Sequence, residues 1–387
     1  MAGKVRHPID TAALERYITE HVPEIKVPLD VKQFGFGQSN PTYQLTSPSG
    51  SKYVLRKKPA GKLVSQAAHK VEREHRIIHA LRNTSVPVPQ AYTLCTDSSV
   101  LGTPFYIMSF ITGRIFEDAA MPTATPTQRT ELWKAAVEAL ASLHRVDPDS
   151  VGLSTYGKKT GFYDRQLATW TQICALQAAT TDIETGVPVG EIPHMSALMS
   201  FFSNASLRPK DKATLVHGDY KIDNVVFATN EARVAGILDW EMSTIGHPLS
   251  DLANFLHPFV SASMSSRIST SSSSSSDKTA VASVVSHPSF LPNATPGLPT
   301  PAQILTWYSA AAGWTPSAED VAWACAFSVF RLAAICQGIA ARVARRQASS
   351  AEAQKHAAAM PLLGEFAWEL VRREQEKARG AGAGAKL

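Results

Sequence analysis

The stretch that most constrains this chain is "LVHGDYKIDNVVF", residues 215–227. It places a histidine, two aspartates, a lysine and an asparagine between two apolar ends that have the composition of buried β-strands. A solvent-exposed turn does not need such flanks, whereas polar side chains held in place for binding or chemistry do. The stretch therefore predicts a functional loop between two short buried strands.

Composition limits the class of protein. The chain has 387 residues, of which 44% are hydrophobic and 18% charged, so we expect a globular protein with one large or two ordinary domains. The net charge is +5, and because the cationic excess is spread along the sequence we expect no nucleic-acid-binding face. The four cysteines form no CxxC pair, which predicts a reducing compartment without a disulfide framework or cysteine metal site.

The two ends and the most hydrophobic segment bear on location. The N-terminus, "MAGKVRHPID", lacks an apolar segment, so we expect no secretory signal. Residues 321–341 are the most hydrophobic, but Arg331 near their middle favours a buried helix over a membrane span, and we expect no membrane partner. The final Ala385-Lys386-Leu387 is similar to the Ser-Lys-Leu address, which predicts a peroxisomal import receptor as partner. The alternative is a flexible end, and localisation is then cytoplasmic.

The pattern of apolar residues changes along the chain. Residues 33–58 alternate as three strands with turns, residues 67–81 have helical spacing, and two more strands follow. This predicts an N-terminal domain at residues 1–109, a small antiparallel sheet with one helix. The overall class is α+β.

From residue 129 the spacing is mainly helical, which predicts a second domain at residues 110–387. The opening stretch and "RVAGILDWE" form a β-hairpin within it. Residues 261–301 are rich in serine and predict a disordered insertion, and residues 380–387 predict a flexible tail.

Chemistry is carried first by the loop itself. Asp219 and Asn224 are five residues apart and Lys221 lies between them, which is the spacing of a phosphoryl-transfer catalytic loop. In such a loop the aspartate accepts the proton of the substrate hydroxyl, the asparagine binds Mg²⁺, and a lysine can contact a phosphate oxygen. The alternative is an ordinary charged loop after a strand.

A second carboxylate follows at the end of the next predicted strand. Asp239 lies fifteen residues after Asn224, across the hairpin, where the other Mg²⁺ ligand must come from. The alternative role for Asp239 is to cap the following turn.

Two features of the N-terminal domain supply the remaining parts of a nucleotide site. A glycine-rich bend between strands allows backbone N–H groups to approach phosphates, although any hairpin can carry such a bend. It comprises Gly35, Gly37, Gln38, Ser39 and Asn40. Arg56, with Lys57 or Lys58 as substitutes, ends a strand as a candidate phosphate-binding cation, and Glu74 on the following helix is its candidate partner. Both are alternatively ordinary surface charges.

These motifs, in this order, resemble the aminoglycoside phosphotransferase family, whose kinase-like members include choline and homoserine kinases. "HGDYKIDN" is similar to that family's catalytic loop, and "LDWE" stands where protein kinases have Asp-Phe-Gly. Several runs are especially similar to the kinase-like domain at the N-terminus of acyl-CoA dehydrogenase family members ten and eleven. They include "FGFGQSNPTYQL", "YVLRKKPAGKL", "GTPFYIMSFITGRIF" and "LDWEMSTIGHPLSDLA".

The resemblance implies a bilobal protein-kinase-like fold, with ATP bound between a small sheet lobe and a larger, mainly helical lobe that contains the catalytic hairpin. It implies Mg²⁺ on Asn224 and Asp239. The hinge that contacts the nucleotide is implied at Met108, Ser109, Phe110 and Ile111.

The implied substrate is a 4-hydroxyacyl-CoA, phosphorylated on its hydroxyl group, and the kinase-like part is expected to stand alone in this chain. Choline-like or aminoglycoside-like alcohols are alternative small-molecule substrates, and a catalytically silent nucleotide-binding pseudokinase is the alternative of another class. Protein kinase activity is not expected, because too few residues separate Asp239 from Asp251 for an activation loop.

Other polar residues receive structural interpretations. His217 is expected to be a core histidine that holds the backbone of the loop, and Asp251 to support the loop or cap a helix. Arg165 on the helix "YDRQLATW" is either a phosphate ligand in an acyl-CoA pocket or an ordinary surface arginine, and we favour the second.

Overall fold

The protein is described by a computed structural model over residues 2–35, 40–59, 70–262, 285–348, 350 and 352–384. Two compact units are present. The first comprises Met1–Glu117, Arg145–Tyr156 and His217–Thr244, and the second comprises Asp118–His144, Gly157–Val216 and Ile245–Leu387. The predicted boundary after residue 109 differs from this division, because residues 217–244, which include the predicted hairpin, belong to the first unit although they follow the boundary in sequence.

Alternating apolar residues in the first unit form a six-stranded antiparallel sheet. Its strands lie in the order β1-β2-β3-β4-β6-β5. They are β1 (Ala2–Gly3), β2 (Asp30–Phe34), β3 (Thr42–Thr46), β4 (Lys52–Lys57), β5 (Ala91–Cys95) and β6 (Phe105–Ser109). One face is apolar: Leu55 lies between Tyr43 and Ile107 in neighbouring strands, and all three are buried. The predicted small antiparallel sheet is confirmed.

Helices cover this sheet. They are α1 (Thr11–His21), α2 (Val71–Leu81) and α3 (Ser98–Leu101). The predicted apolar stripe of α2 is buried throughout, from Val71 to Leu81. The sequence predicts one helix here, and α1 and α3 are additions to it. Asp10 caps α1 by accepting a hydrogen bond from the backbone N–H of Ala13 at 2.8 Å, which satisfies one of the unpaired donors of the first turn.

The predicted β-hairpin consists of β8 (Val225–Phe227) and β9 (Val234–Ile237), paired antiparallel. Backbone hydrogen bonds connect it to the first unit. Arg114 and Phe227 exchange N–H···O bonds of 2.7 and 2.8 Å, and the N–H of Ile237 donates to Pro87 at 2.9 Å. These bonds satisfy backbone groups that would otherwise be buried without partners, and they explain why the hairpin belongs to the first unit.

The second unit is mainly helical, as predicted. Its helices are α4 (Pro126–Arg145), α5 (Phe162–Ala178), α6 (Met195–Ser203), α7 (Leu249–Val260), α8 (Pro301–Ala312), α9 (Ala318–Ala344) and α10 (Ala353–Gly384), and strands β7 (Thr214–Val216) and β10 (Thr244–Gly246) pair with each other. Because α10 extends to Gly384, the tail predicted as flexible from residue 380 begins as helix. The tripeptide at residues 385–387 lies outside the described residues.

The most hydrophobic segment of the sequence forms α9. Within the described part of the chain, α9 is the one helix long and apolar enough to cross a membrane by length and composition, yet 61% of its most apolar window is buried inside the structure. Trp323, Phe327 and Phe330 pack with Phe202 of α6 in an aromatic cluster. The prediction of a buried helix is confirmed.

The segment predicted as a disordered insertion, residues 261–301, is ordered in its later part. Residues 263–284, which include the serine run, lie outside the described residues. The segment from Val285 onward is ordered: Phe290 is buried, with its ring 4.8 Å from that of Phe259 and 6.0 Å from that of Trp133. Thr130 also donates to the carbonyl of Gly297 at 2.8 Å. Aromatic packing onto α4 and α7 therefore orders the part that follows the serines.

We expect Phe290→Ala to lower the free energy of unfolding by about 3–5 kcal/mol, because the substitution leaves a cavity beside Trp133 and Phe259. Leu291→Ala is the matched control, since Leu291 is 39% exposed and Phe290 only 7%. Urea unfolding of both variants measures the difference. Equal losses would show that residues 285–301 do not pack as described.

Candidate active site

His217 fixes the loop of residues 217–224. Its ring is fully buried; Nδ1 accepts a hydrogen bond from the backbone N–H of Asp219 (3.2 Å), and Nε2–H donates to the carbonyl of Leu238 (2.9 Å). The ring thus connects the loop to the segment that follows β9. This geometry confirms the prediction that His217 is a core histidine that holds the loop's backbone.

Gly218 allows the loop to turn away from the residues after β9. Its φ is +89°, and a Cβ atom at this position would lie 2.6 Å from the carbonyl oxygen of Met242. A side chain would therefore combine an unfavourable backbone conformation with a collision against backbone. This is the physical reason for glycine in "HGDYKIDN".

The predicted catalytic residues lie together in this loop. Asn224 donates through Nδ2 to the carbonyl oxygen of Asp219 (2.8 Å) and to its carboxylate (3.1 Å), which orients the carboxylate. The Nζ atom of Lys221 lies 3.5 Å from the carboxylate of Asp219 and 3.2 Å from that of Asp223. Burial alone would lower the pKa of Lys221, but Asp219 and Asp223 raise it above its ordinary value, so the ammonium stays charged. The sequence had not singled out Asp223.

Asp239 follows β9 and is brought beside Asn224 by the hairpin. Val225 pairs with Ile237, and the next residue, Leu238, donates its N–H to the carbonyl of Asn224 at 2.8 Å. Asp239 has a φ of +66°, a left-handed conformation that is uncommon outside glycine. Such conformations persist where the surrounding structure enforces them, often at functional sites.

Arg56, at the end of β4, occupies the centre of a buried charge network. Its guanidinium lies 3.3 Å from Glu74 and 3.2 Å from Asp239, with Glu241 at 3.9 Å. Burial alone would lower the pKa of Arg56, but Glu74, Tyr106, Asp239 and Glu241 together raise it, so the side chain is a fixed positive charge. The predicted pairing of Arg56 with Glu74 is confirmed.

Glu74 is fully buried, and its carboxylate has further partners. Burial raises its pKa, while Arg56 and a hydrogen bond from the Tyr106 hydroxyl (2.8 Å) act in the opposite direction. Asn40 donates to the other carboxylate oxygen at 3.2 Å. Asn40, predicted to bind the nucleotide, is itself fully buried, so we assign its side chain to positioning Glu74.

Strand geometry distinguishes Arg56 from its neighbours. Successive residues of a strand point to opposite faces, so Lys57 faces away from Glu74. Burial lowers the pKa of Lys57, and among the described residues Arg56 is the cation placed against Glu74 and Asp239. Tyr106 and Glu241 were missed from the sequence. The hydroxyl group of Tyr106 within the otherwise apolar run of β6 and the position of Glu241 two residues after Asp239 are the signals that point to them.

The predicted hinge is the end of β6 and the residues that follow. The N–H of Ser109 donates to Gln90 (2.8 Å) and that of Phe110 to Lys52 (3.3 Å), so both donors are used within the sheet. The ring of Phe110 stacks on Phe34 with centroids 6.5 Å apart. Buried Met108 pairs with Val54 in the sheet, and Ile111 packs against Gly236 of β9, where a Cβ would approach it to 2.0 Å.

The glycine-rich bend is only partly described. Gly35 is at the end of β2, where its carbonyl accepts a hydrogen bond from Arg6 at 3.3 Å. Gly37, Gln38 and Ser39 lie outside the described residues, so their proposed contact with a nucleotide stays a prediction.

The donor set suits Mg²⁺ that arrives with a nucleotide. Among the described residues, no group of three or more His, Cys, Asp or Glu side chains is arranged to hold a metal. Asp239 offers a carboxylate whose side chain is 38% exposed, and Asn224, whose amide nitrogen is bonded to Asp219, offers its amide oxygen. Mg²⁺ characteristically takes one or two such protein ligands and fills its shell with water and phosphate oxygens.

With this geometry established, comparison with known proteins assigns the family. Residues 30–268 match the family model described as "Phosphotransferase enzyme family". The chain belongs to this family. Matches of the same chain to curated proteins agree with the resemblance seen in the catalytic loop.

Curated relatives carry the names of acyl-CoA dehydrogenases. The chain is 36% identical to acyl-CoA dehydrogenase family member 11 of Gallus gallus, over 95% of this chain and 44% of that protein. It is 38% identical to the probable acyl-CoA dehydrogenase IBR3 of Arabidopsis thaliana, over 89% of this chain and 40% of that protein. The chain therefore spans less than half the length of these relatives.

Solved phosphotransferases share the fold. A Ralstonia eutropha crystal structure, provisionally described as an aminoglycoside phosphotransferase, is 35% identical with a TM-score of 0.75, over 95% of this chain and 99% of that one. The GDP complex of aminoglycoside 2′-phosphotransferase-IIIa has a TM-score of 0.56 at 15% identity, over 93% and 99% of the two chains. The second likeness concerns the fold alone. Together they confirm the predicted α+β, kinase-like fold.

We expect Gly218→Ala to destabilise the protein more than Gly152→Ala. Both glycines have a positive φ, +89° and +73°, which costs an alanine about 1–2 kcal/mol. A Cβ at Gly152 meets nothing within 4 Å, whereas one at Gly218 meets the backbone of Met242. The difference in unfolding free energy between the variants isolates this collision, and equal values would contradict the loop geometry.

Proposed function

We propose that this chain is an ATP- and Mg²⁺-dependent kinase that phosphorylates the hydroxyl group of a small molecule. One observation carries the proposal: a single hairpin and its preceding loop hold Asp219, Asn224 and Asp239 together, with Arg56 bridging Asp239 to Glu74. A base, two oxygen ligands and a fixed cation are the parts that phosphoryl transfer requires.

Each side chain has a role that follows from its contacts. The carboxylate of Asp219, oriented by Asn224, accepts the proton of the substrate hydroxyl. Lys221 and Arg56 present positive charge, which stabilises negative charge on phosphate oxygens. Asn224 and Asp239 would hold Mg²⁺ through their side-chain oxygens. When bound, Mg²⁺ and ATP supply the phosphoryl group and the charge that neutralises its oxygens.

For the acceptor we propose a 4-hydroxyacyl-CoA. The names of the relatives with 34–38% identity over most of this chain connect it with acyl-CoA metabolism. The presence of Asp219, Asn224 and Asp239 argues against a silent pseudokinase, which would be expected to lack one of them. A peroxisomal or cytoplasmic location stays a prediction.

The test of the acceptor is ATP consumption in the presence of Mg²⁺ with 4-hydroxyacyl-CoAs, choline, homoserine and an aminoglycoside. We expect turnover with the CoA esters, and turnover with another alcohol alone would replace the proposed acceptor.

Asp219→Asn should reduce this turnover by at least about 100-fold, because a positioned general base contributes on that order. Asp223→Asn is the matched control: Asp223 also pairs with Lys221, at 3.2 Å, but has no proposed contact with the acceptor. We expect a much smaller loss in the control. Similar losses would mean that the charge on Lys221, rather than the base, is what matters.

Asp239→Asn should remove most of the gain in ADP affinity that Mg²⁺ provides, by about 10–100-fold, since one charged metal ligand becomes neutral. Titration calorimetry with ADP, with and without Mg²⁺, measures this gain. Glu241→Gln is the control, because Glu241 lies in the same network but 3.9 Å from Arg56. An unchanged gain in Asp239→Asn would place the metal elsewhere.

A further inference from the structure

One small region of the second unit has a local excess of positive charge. Residues 157–165 and 207–212 hold six cationic and two acidic side chains. The cations are Lys158, Lys159, Arg165, Arg208, Lys210 and Lys212. We call this group the cationic surface. From the sequence alone we expect the excess of positive charge to be dispersed, because the two segments are more than forty residues apart.

Folding brings the two segments together. The backbone N–H of Gly161 donates to the carboxylate of Asp211 at 2.8 Å, and Arg208 pairs with Asp164 at 2.6 Å. Both acids of the region are thus already bonded. Lys158 and Lys210 are exposed, so the field that the region presents to solvent is positive.

The backbone of the surface is held in place before any ligand binds. Arg165 donates to the carbonyls of Lys158 (3.1 Å) and Thr160, which fixes the turn that carries Lys158. His247 bonds the carbonyl of Lys210 at 3.1 Å. Preorganised groups lose less freedom on binding. Arg165 therefore holds the backbone of its neighbours in place.

An aromatic ring borders the surface. The Nζ atom of Lys212 lies 5.0 Å from the centre of the Trp314 ring, and Trp314 is half-buried beside His247, with ring centres 6.0 Å apart. A partly exposed indole next to cations offers a planar base a surface on which to stack.

A groove of about 420 Å³ adjoins the cationic surface: it is lined by Arg208 of that surface and by Asp164, the ion-pair partner of Arg208. Its other lining residues are apolar and neutral polar, namely Leu167, Ala168, Thr171, Gln172 and Ser203. Such a lining suits a narrow chain with both methylene and amide groups.

We propose that the cationic surface binds the 3′-phosphorylated adenine nucleotide of a CoA ester, with Trp314 beside the base and the groove beside the pantetheine arm. This inference rests on the proposed function and names how that substrate is recognised. The clustered lysines can bind phosphates, the indole can stack on adenine, and the groove can hold a chain that has both methylene and amide groups. A nucleic acid would require cations along a longer path, and a membrane would require a cluster of exposed apolar residues, whereas Leu207 is the one large hydrophobic residue of these two segments that is exposed.

The test is calorimetric titration of the full chain with CoA, dephospho-CoA and pantetheine. The variant Lys158→Gln/Lys210→Gln should bind CoA at least about tenfold more weakly, since hydrogen bonds to charged groups are among the stronger ones. Trp314→Leu should weaken CoA binding as well. The control is Lys134→Gln/Lys377→Gln, which removes the same charge from helices α4 and α10 of the same unit. Its affinity for CoA should match that of the unchanged chain.

Three outcomes would overturn the inference: equal affinity of CoA for both double variants, equal affinity of the unchanged chain for CoA and pantetheine, or loss of binding to RNA or anionic vesicles while CoA binding stays constant. Dephospho-CoA bound more weakly than CoA supports it, because the 3′-phosphate is the group that differs. These titrations do not require turnover. CoA binding that depends on Lys158 and Lys210 without phosphorylation would refute the proposed kinase activity and leave this inference standing.

Discussion

The first unit is organised around a buried positive charge. Arg56 belongs to β4, yet its guanidinium contacts Glu74 of α2 and Asp239 after β9. Removing a charge from water costs several kcal/mol unless partners replace the lost hydration, so these contacts are a condition for burying Arg56. Tyr106 and Asn40 do the same for Glu74. The sheet, the helix and the hairpin are therefore coupled electrostatically, and a shift of any one of them would leave a charge without its partner.

Backbone conformation, together with this charge network, fixes the positions of the site residues. Gly218 and Asp239 both have positive φ values and stand at the entrance to the loop and the exit of the hairpin. Between them, His217 and the N–H of Leu238 connect the loop to the second strand. Asp219, Asn224 and Asp239 thus owe their relative positions to main-chain geometry more than to side-chain packing. This explains why a short motif can be recognised in sequence: the residues that shape the backbone and those proposed to carry the chemistry lie within the same short segments.

Local features were predictable and long-range ones were not. Alternation predicted the sheet, helical spacing predicted the face of α2, and the strand flanks predicted the hairpin, because each depends on neighbours in sequence. The unit to which the hairpin belongs depends on bonds from Arg114 and Pro87, more than a hundred residues earlier. Composition predicted disorder up to residue 301, but Phe290 packs against Trp133 of α4, which is far away in sequence. Tyr106 and Glu241 became visible only once Arg56 was placed, and α1 was overlooked despite its Asp10 cap.

The buried cation Arg56 and the exposed lysines of the cationic surface differ in burial, and their physical effects differ accordingly. Arg56 is buried and paired, so its field is little screened and acts over bonding distances. Lys158 and Lys210 are exposed, so salt screens them, and their field attracts anions from solution. In the proposed binding of a CoA ester, an acceptor that carries several phosphates would gain affinity from a part of the molecule remote from its hydroxyl group. Binding energy from a remote part of a substrate can be used to orient the reacting group. A CoA ester has this division within one molecule, with phosphates at one end and the acyl hydroxyl at the other, and an aminoglycoside does not.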